Sequence, residues 1–306
     1  MTERKKPVIT VLGGDKRQKV MVRVLAEHGF FVRVWGLRGD WEGMERVVSV
    51  ADWKDAVNGA HALILPLPAS ADCVRIHAPD AVGDGLRLDV LLAAVPLDCP
   101  VLGGRLPDAT VSACSARGVF CVDYYQNESL QLKNALLTAE GAIELAMQAL
   151  PVALYGTHMA VIGYGRIGEL LSQRLMAFGA RVTVYARRQE VLTRASLAGC
   201  NSIGLWRKDS SSTLCALARD TRMVFNTVPE WLFSSAVVQT LPPNCIYMEL
   251  ASAPGGIDRA AAQEAGIPMI WGNSLPGKYA PESAGKILAE TVAELLREHL
   301  PNLTSQ

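Results

Sequence analysis

Residues 156–188 read GTHMAVIGYGRIGELLSQRLMAFGARVTVYARR, and the order of residue types in this stretch decides the fold. A short apolar run, Met159 to Ile162, leads into Gly163-Tyr164-Gly165-Arg166-Ile167-Gly168; a helical pattern follows, and Ala180 to Tyr185 reads as a second strand. Strand, glycine turn, helix and strand in that order form the context in which GxGxxG signifies a dinucleotide site. Gly163 makes the turn, Gly165 lets the backbone reach the pyrophosphate, and Gly168 lets helix pack on strand. Arg166 and Ile167 open the helix, whose unpaired amides and positive dipole end suit phosphate. The competing reading is a helix-packing turn in a Rossmann-like domain without ligand.

Outward from that unit, the second strand ends without the usual carboxylate. An NAD-binding unit places Asp or Glu there on the ribose 2′-hydroxyl; this chain has Tyr185-Ala186-Arg187-Arg188. A carboxylate repels a 2′-phosphate, whereas a guanidinium pairs with it through two parallel hydrogen bonds. The expected cofactor is therefore NADP(H). The bland alternative is a solvated arginine pair at the start of a surface helix.

The 306 residues suffice for two domains, and a composition 50% apolar and 20% charged is globular. Thirty basic residues balance thirty acidic ones, so no net field draws nucleic acid or an anionic membrane. After the basic MTERKKP, the run Val8 to Leu12 is too short for a signal-peptide core or membrane span and reads as a first strand. Seven cysteines without a CxxC pair suggest buried thiols in a reducing, cytoplasmic compartment. Five histidines without ligand spacing give no support to a metal.

The expected fold class is α/β: two Rossmann-like or flavodoxin-like doubly wound domains joined by a long helix. Residues 1–125 form the first, substrate-side domain. Its strands are expected near 8–14, 30–35, 47–50, 62–67, 101–102 and 119–122, with helices at 16–27 and 108–116. Residues 69–86 read as a long loop, and Asp89 to Ala94 is open between helix and strand. The linking helix occupies 126–150, with an apolar stripe of Leu132, Leu136, Ala139, Ile143 and Met147. Residues 151–280 form the NADP-binding domain. After Arg188 it continues with a helix to Ala198, a strand at Ile203 to Trp206, a helix near 210–219 and a strand at Met223 to Val228. A helix near 234–240, strands at 246–250 and 268–271, and a loop over 273–281 complete it. Residues 281–306 contain a terminal helix expected to pack back on the first domain.

Ligands of doubly wound sheets sit beyond the carboxyl ends of the strands. The loops at 13–15, 66–68 and 103–105 are expected on one rim of a cleft, and those at 163–168, 226–229, 250–256 and 273–280 on the other. The nicotinamide is expected near Thr227, Val228 and Pro229. No histidine ends a strand of the second domain, which argues against an imidazole that takes a hydroxyl proton. The polar candidates for catalysis are Asp15, Arg17, Glu128, Lys133, Ser274 and Lys278, although Asp15 can equally cap the first helix and Lys133 and Lys278 can be solvated. The cations suit a carboxylated substrate.

GGDKRQ (13–18), YYQNESLQLKNALLTAEGAIELAMQ (124–148), VIGYGRIG (161–168), ELAS-x-PGG (249–256) and LPGKYAPESAGKIL (275–288) together resemble the A subunits of bacterial dipicolinate synthase. The resemblance spans both domains and is poor from about 69 to 120. It implies an NADP-dependent oxidation late in a branch from lysine biosynthesis, giving pyridine-2,6-dicarboxylate from 4-hydroxy-tetrahydrodipicolinate or dihydrodipicolinate. It further implies a separately encoded, flavoprotein-like B subunit and the mother-cell cytoplasm of a spore former; a homo-oligomer is expected as well. Ala253 stands where the family pattern has Arg before PGG, which moves the expected carboxylate clamp to Arg17 and Lys278. Two other classes share the architecture: a D-2-hydroxy-acid-dehydrogenase-like NADP enzyme, and a non-catalytic nucleotide-binding scaffold.

Overall fold

Two segments with helical punctuation but strand-like apolar runs between them fold into two parallel sheets. The computed structural model describes residues 7–205 and 210–299. In chain order the elements are β1 (Val8–Leu12), α1 (Lys16–Glu27), β2 (Phe31–Trp35), β3 (Val47–Ser49), α2 (Trp53–Val57), β4 (Ala62–Ile64), α3 (Leu88–Ala94), β5 (Val101–Gly103), α4 (Asp108–Arg117), β6 (Cys121–Asp123) and α5 (Glu128–Ala149). They continue with β7 (His158–Ile162), α6 (Arg166–Ala177), β8 (Arg181–Ala186), α7 (Gln189–Leu197), β9 (Asn201–Gly204), α8 (Ser210–Cys215), β10 (Thr221–Asn226), α9 (Ser235–Val238), β11 (Ile246–Glu249), α10 (Arg259–Glu264), β12 (Met269–Trp271), α11 (Leu275–Tyr279) and α12 (Pro281–His299). The chain divides into two units, Met1–Lys133 with Ala280–Gln306, and Asn134–Tyr279.

The first unit holds the sheet β3-β2-β1-β4-β5-β6 and the second β12-β11-β10-β7-β8-β9. Every pairing in the first is parallel, and so is every pairing in the second. Counted from each unit's own first strand, both orders read 3-2-1-4-5-6, the doubly wound dinucleotide arrangement. The sequence shows no strong repeat, yet the topology is repeated. Central strands of such sheets are covered on both faces and read as apolar runs. β1 and β7 accordingly bury all but their first residue. Each sheet separates two apolar clusters, around Met21 and Val292 or Leu65 and Leu91 in the first unit, and around Leu171 and Met248 or Phe233 and Tyr247 in the second.

Several expectations change. The segment 273–281 is not all loop: α11 forms within it although it carries Pro276 and Gly277, because proline is tolerated in a first turn. α2 is an unexpected helix, capped by Asp52. The ambiguous 89–94 segment is the helix α3, and β10 stops at Asn226, before Thr227 and Val228. β9 covers 201–204, while Trp206 lies outside the described residues. On α5 the expected stripe is wrong at both ends, since Leu132 and Met147 are exposed; the buried row is Ala135, Ala139, Ala142 and Ala146, whose small side chains let the helix lie close to its neighbours.

α12 belongs to the first unit and packs along α1. The contact is closest at Gly285, where a Cβ would lie 2.4 Å from Val20 Cβ and 2.6 Å from the Arg17 carbonyl oxygen. Helix propensity alone would make Gly285→Ala stabilising by about 1 kcal/mol. The steric term opposes it and is larger, since overpacking costs about 1–3 kcal/mol and one obstacle here is backbone. We therefore predict a net drop in the urea unfolding midpoint of G285A; an unchanged or raised midpoint would show that the helices separate freely.

Candidate dinucleotide site

The three glycines of the turn have different roles. Gly163 has φ +92°, and a Cβ there would meet Thr227 Oγ1 at 2.6 Å and Val228 Cγ2 at 2.7 Å. At Gly168 a Cβ would lie 2.2 Å from the Gly163 carbonyl oxygen, so α6 starts directly against the end of β7. Around Gly165, the N-cap of α6, a Cβ would meet nothing within 4 Å. Two glycines therefore serve packing and the third faces open space, where backbone can approach a ligand. The Gly163 amide donates to the Tyr185 carbonyl at 2.8 Å, tying the turn to β8.

That space is a cavity of about 470 Å³ lined by Gly163, Tyr164, Gly165, Arg187, Val228 and Leu232 among others. Arg188 also lines it. The volume is in the range of cofactor sites, and the glycine turn, helix N-terminus and cations fit a dinucleotide. Arg166 and Ile167 form the first turn of α6 with Gly168. Thr227 is pinned to β7, its amide and hydroxyl both donating to the Ile162 carbonyl, at 3.0 and 2.8 Å. Pro229 is exposed just beyond. Arg187 pairs with Glu230 in a two-pronged contact, and Arg188 lies 3.3 Å from Glu190. Burial raises the Tyr164 phenol above its ordinary value, and its hydroxyl has no hydrogen-bond partner among the described residues.

Next to Thr227 lies a polar hub that the sequence reading missed. Glu249 is fully buried at the end of β11 and accepts four hydrogen bonds: from Asn226 Nδ2 at 2.8 Å, Tyr247 OH at 3.0 Å, and the amides of Ala251 at 3.0 Å and Gly256 at 2.8 Å. Asn226 in turn donates to the Val228 carbonyl at 2.9 Å. One carboxylate thus shapes both loops expected beside the nicotinamide, 226–229 and 250–256. The available signal was an acid closing an apolar run, Ile246 to Glu249, since a buried charge requires such partners. Arg259 was missed as well. Its guanidinium stacks 4.0 Å from the Trp271 ring centroid and donates to the Pro254 carbonyl at 3.3 Å, bringing a cation to the turn where Ala253 stands.

The remaining candidates fall into two groups. In the first unit Asp15 caps α1 in a reciprocal arrangement with Gln18 and is gripped by Arg17, whose Nη2 lies 2.8 Å from Oδ2. Arg17 is buried and also donates to the Leu67 carbonyl. Glu128 opens α5 on the surface, and Lys133 pairs with Glu290 of α12 at 3.3 Å on an exposed face. In the second unit Ser274, with φ +57°, precedes α11, and its carbonyl accepts from the Lys278 amide at 3.2 Å. Lys278 is exposed without a carboxylate partner among the described residues. His158 sits at the opposite, amino-terminal edge of the sheet between Asp220, at 3.0 Å, and Thr183, at 2.8 Å. Among the described residues no cluster of three or more His, Cys, Asp or Glu could hold a metal, and no helix is long and apolar enough to cross a membrane.

Residues 8–125 match the N-terminal domain of the dipicolinate synthase A subunit, and residues 131–228 the NAD binding domain of D-isomer specific 2-hydroxyacid dehydrogenases. Over 291 residues the chain is 28% identical to the A subunit of dipicolinate synthase from Bacillus subtilis (strain 168), covering 95% of this chain and 96% of that protein. Along nearly its whole length the chain is similar to the A subunits of dipicolinate synthase. The crystal structure of the A subunit from Bacillus halodurans superposes with a TM-score of 0.82 at 26% identity, over 95% of this chain and 97% of the other. A transhydrogenase from Sinorhizobium meliloti, at 15% identity and a TM-score of 0.68 over 97% and 94%, shares the fold. The protein is accordingly an oxidoreductase whose second unit takes a nicotinamide dinucleotide.

The glycine geometry predicts opposite outcomes at two neighbouring positions. Gly165→Val should keep a native circular dichroism spectrum and melting point while nucleotide titration goes flat, because its side chain enters the cavity. Gly168→Ala should unfold at lower denaturant, because its Cβ meets a carbonyl. Native-like binding by a folded G165V would refute the placement. A third expectation concerns acid. Burial raises the Asp15 carboxyl, but the hydrogen bonds and charge of Arg17 outweigh this and hold it below its ordinary 3.8. Stability from the pair is therefore complete above 3.8 and is lost as pH falls through the lower folded-state value. Urea midpoints measured between about pH 2 and 5 should fall less steeply for Asp15→Asn than for the parent; equal slopes would remove the pair from the acid response.

Proposed function

We propose that this chain is the NADP-dependent oxidoreductase subunit that makes pyridine-2,6-dicarboxylate from 4-hydroxy-tetrahydrodipicolinate or its dehydrated form. The observation that carries the cofactor choice is that Arg187 and Arg188, rather than an acid, close the dinucleotide cavity at the end of β8. The substrate choice is supported by similarity to the A subunit of dipicolinate synthase over 95% of the chain.

The reaction removes one water, one hydride and one proton from the ring. The bound dinucleotide supplies the hydride acceptor, and the proton goes to solvent. Aromatisation provides driving force, so the protein's part is orientation and a dry face more than a strong base. Gly165 and the start of α6 hold the pyrophosphate, and Arg188 with Arg187 receives the 2′-phosphate. The Asn226–Glu249 hub sets the loops at the nicotinamide end. Arg259 and Lys278 are the cations of the second unit offered to ring carboxylates. In the first unit Arg17 acts through Asp15 and the Leu67 carbonyl, shaping the strand-end loops there. The assembly with a separately encoded B subunit, a homo-oligomeric state and a cytoplasmic location in a spore former belong to the same reading.

Purified protein, NADP⁺ and the ring substrate, with and without the B subunit, should yield the ultraviolet spectrum of dipicolinate, whereas lactate and glycerate should turn over poorly. Replacing Arg187 and Arg188 together by Ala should reduce the NADPH-over-NADH preference by about ten- to a hundredfold, two charge-assisted contacts being lost. Rapid NADP⁺ reduction with a simple 2-hydroxy acid, and none with the ring compound even beside the B subunit, would overturn the proposal.

A further inference from the structure

Arg187 follows β8 and Glu230 follows β10, and these strands flank β7 on either side. The ion pair between them therefore bridges across the strand that carries the glycine turn. Arg187 lines the cavity from one side, and Val228 and Leu232, which bracket Glu230, line it from the other. The contact is two-pronged, with Nη1 to Oε2 at 2.8 Å and Nη2 to Oε1 at 2.6 Å. That fork is the same hydrogen-bonding face a phosphate would use.

The backbone of Glu230 is held by its neighbours, and its half-exposed side chain is held by Arg187. Pro229 precedes it, a Cβ on Gly256 would come within 2.7 Å of its carbonyl oxygen, and the amides of Leu232 and Phe233 both donate to the Gly256 carbonyl, at 3.1 and 2.8 Å. The two paired side chains remain 41% and 43% exposed, which leaves the carboxylate room to swing outward.

We propose that Glu230 is a specificity-determining residue of the cofactor cavity, a carboxylate that competes with the dinucleotide's 2′-phosphate for the Arg187 fork. This rests on the reading of Arg187 as a 2′-phosphate partner. A dianionic phosphate beside that guanidinium meets the negative Glu230 at close range, so NADPH binds only as Glu230 releases Arg187. A dinucleotide with a free 2′-hydroxyl brings no charge to this position and leaves the pair intact. Glu230 thus lowers NADPH affinity selectively and narrows the gap to NADH. The fixed backbone directs the effect through the side chain alone.

Calorimetric titration of the full chain with NADPH and NADH tests this, using the parent, Glu230→Gln, Arg187→Ala and the double variant. Glutamine keeps size and removes charge at an exposed pair, so the fold should stand, as a melting curve will show. E230Q should bind NADPH about tenfold more tightly, the scale of one charge-assisted contact, with NADH altered less than about twofold. In the R187A background the gain should shrink below about threefold, because the competition requires Arg187. An unchanged NADPH constant in E230Q, or an equal gain with and without Arg187, overturns the competition. A loss of NADH affinity in E230Q without a gain for NADPH also overturns it and makes Glu230 a ribose ligand. A parent that prefers NADH but whose E230Q variant gains NADPH affinity through Arg187 overturns the cofactor reading and leaves the role of Glu230 standing. A parent that prefers NADPH with an indifferent E230Q removes Glu230 alone.

Discussion

A side-chain carbon at position 168 would lie 2.2 Å from the Gly163 carbonyl oxygen, closer than non-bonded atoms approach, and this constraint sets the second unit. With hydrogen in that place, α6 begins against the end of β7 and its N-terminus points across the turn. Gly163 must then take φ +92° and lie against Thr227 and Val228, which brings the loop after β10 into the same cavity wall. The face of Gly165 is left open as a consequence. The helix dipole, the unpaired first-turn amides and the cations after β8 converge on that opening.

The loops around this centre are held by carboxylates at strand ends as well as by packing. Glu249 closes β11 and gathers two amides and two side chains. The first unit repeats the device: Asp123 closes β6 and accepts from the amides of Arg105 at 2.9 Å, Tyr125 at 2.9 Å and Leu106 at 3.3 Å. It thereby steadies Arg105 in a left-handed conformation, φ +51°, with the guanidinium stacked over Tyr125. Loops at strand ends expose backbone donors, and an ionised oxygen pair is the densest acceptor a side chain can offer. Asp15 does the same for the first turn of α1, with Arg17 as counter-charge.

Charge pairing also explains why position alone is a poor guide to chemistry. Arg17, Lys133 and Arg187 look equally available as cations in the chain, but each meets a different acid: Asp15 two residues away, Glu290 on α12, and Glu230 after β10. Arg17 is buried beside Asp15, Lys133 pairs with Glu290 on an exposed helix face where such a pair contributes little, and Arg187 lines the dinucleotide cavity. Arg259, unremarkable at the start of a short helix, reaches the 253–256 turn because Trp271 offers it a ring to stack on.

The amino-acid sequence by itself determined the alternation of strands and helices, the dinucleotide turn at 163–168 and the cationic end of β8. Each of these is a local pattern: a run of apolar residues long enough for one strand, glycines at a spacing that one backbone turn requires, and two neighbouring arginines. It also marked α1 and α12 as amphipathic helices. What only the tertiary structure decided are the meetings of residues far apart in the chain: the repeated strand order in the two units, the alanine row buried on α5, the pairing of Arg187 with Glu230, and the four donors around Glu249. Such contacts join strands that are neighbours in a sheet but not in sequence. At Glu249 burial then selects the partners, because a carboxylate withdrawn from water must find donors wherever the fold has placed them.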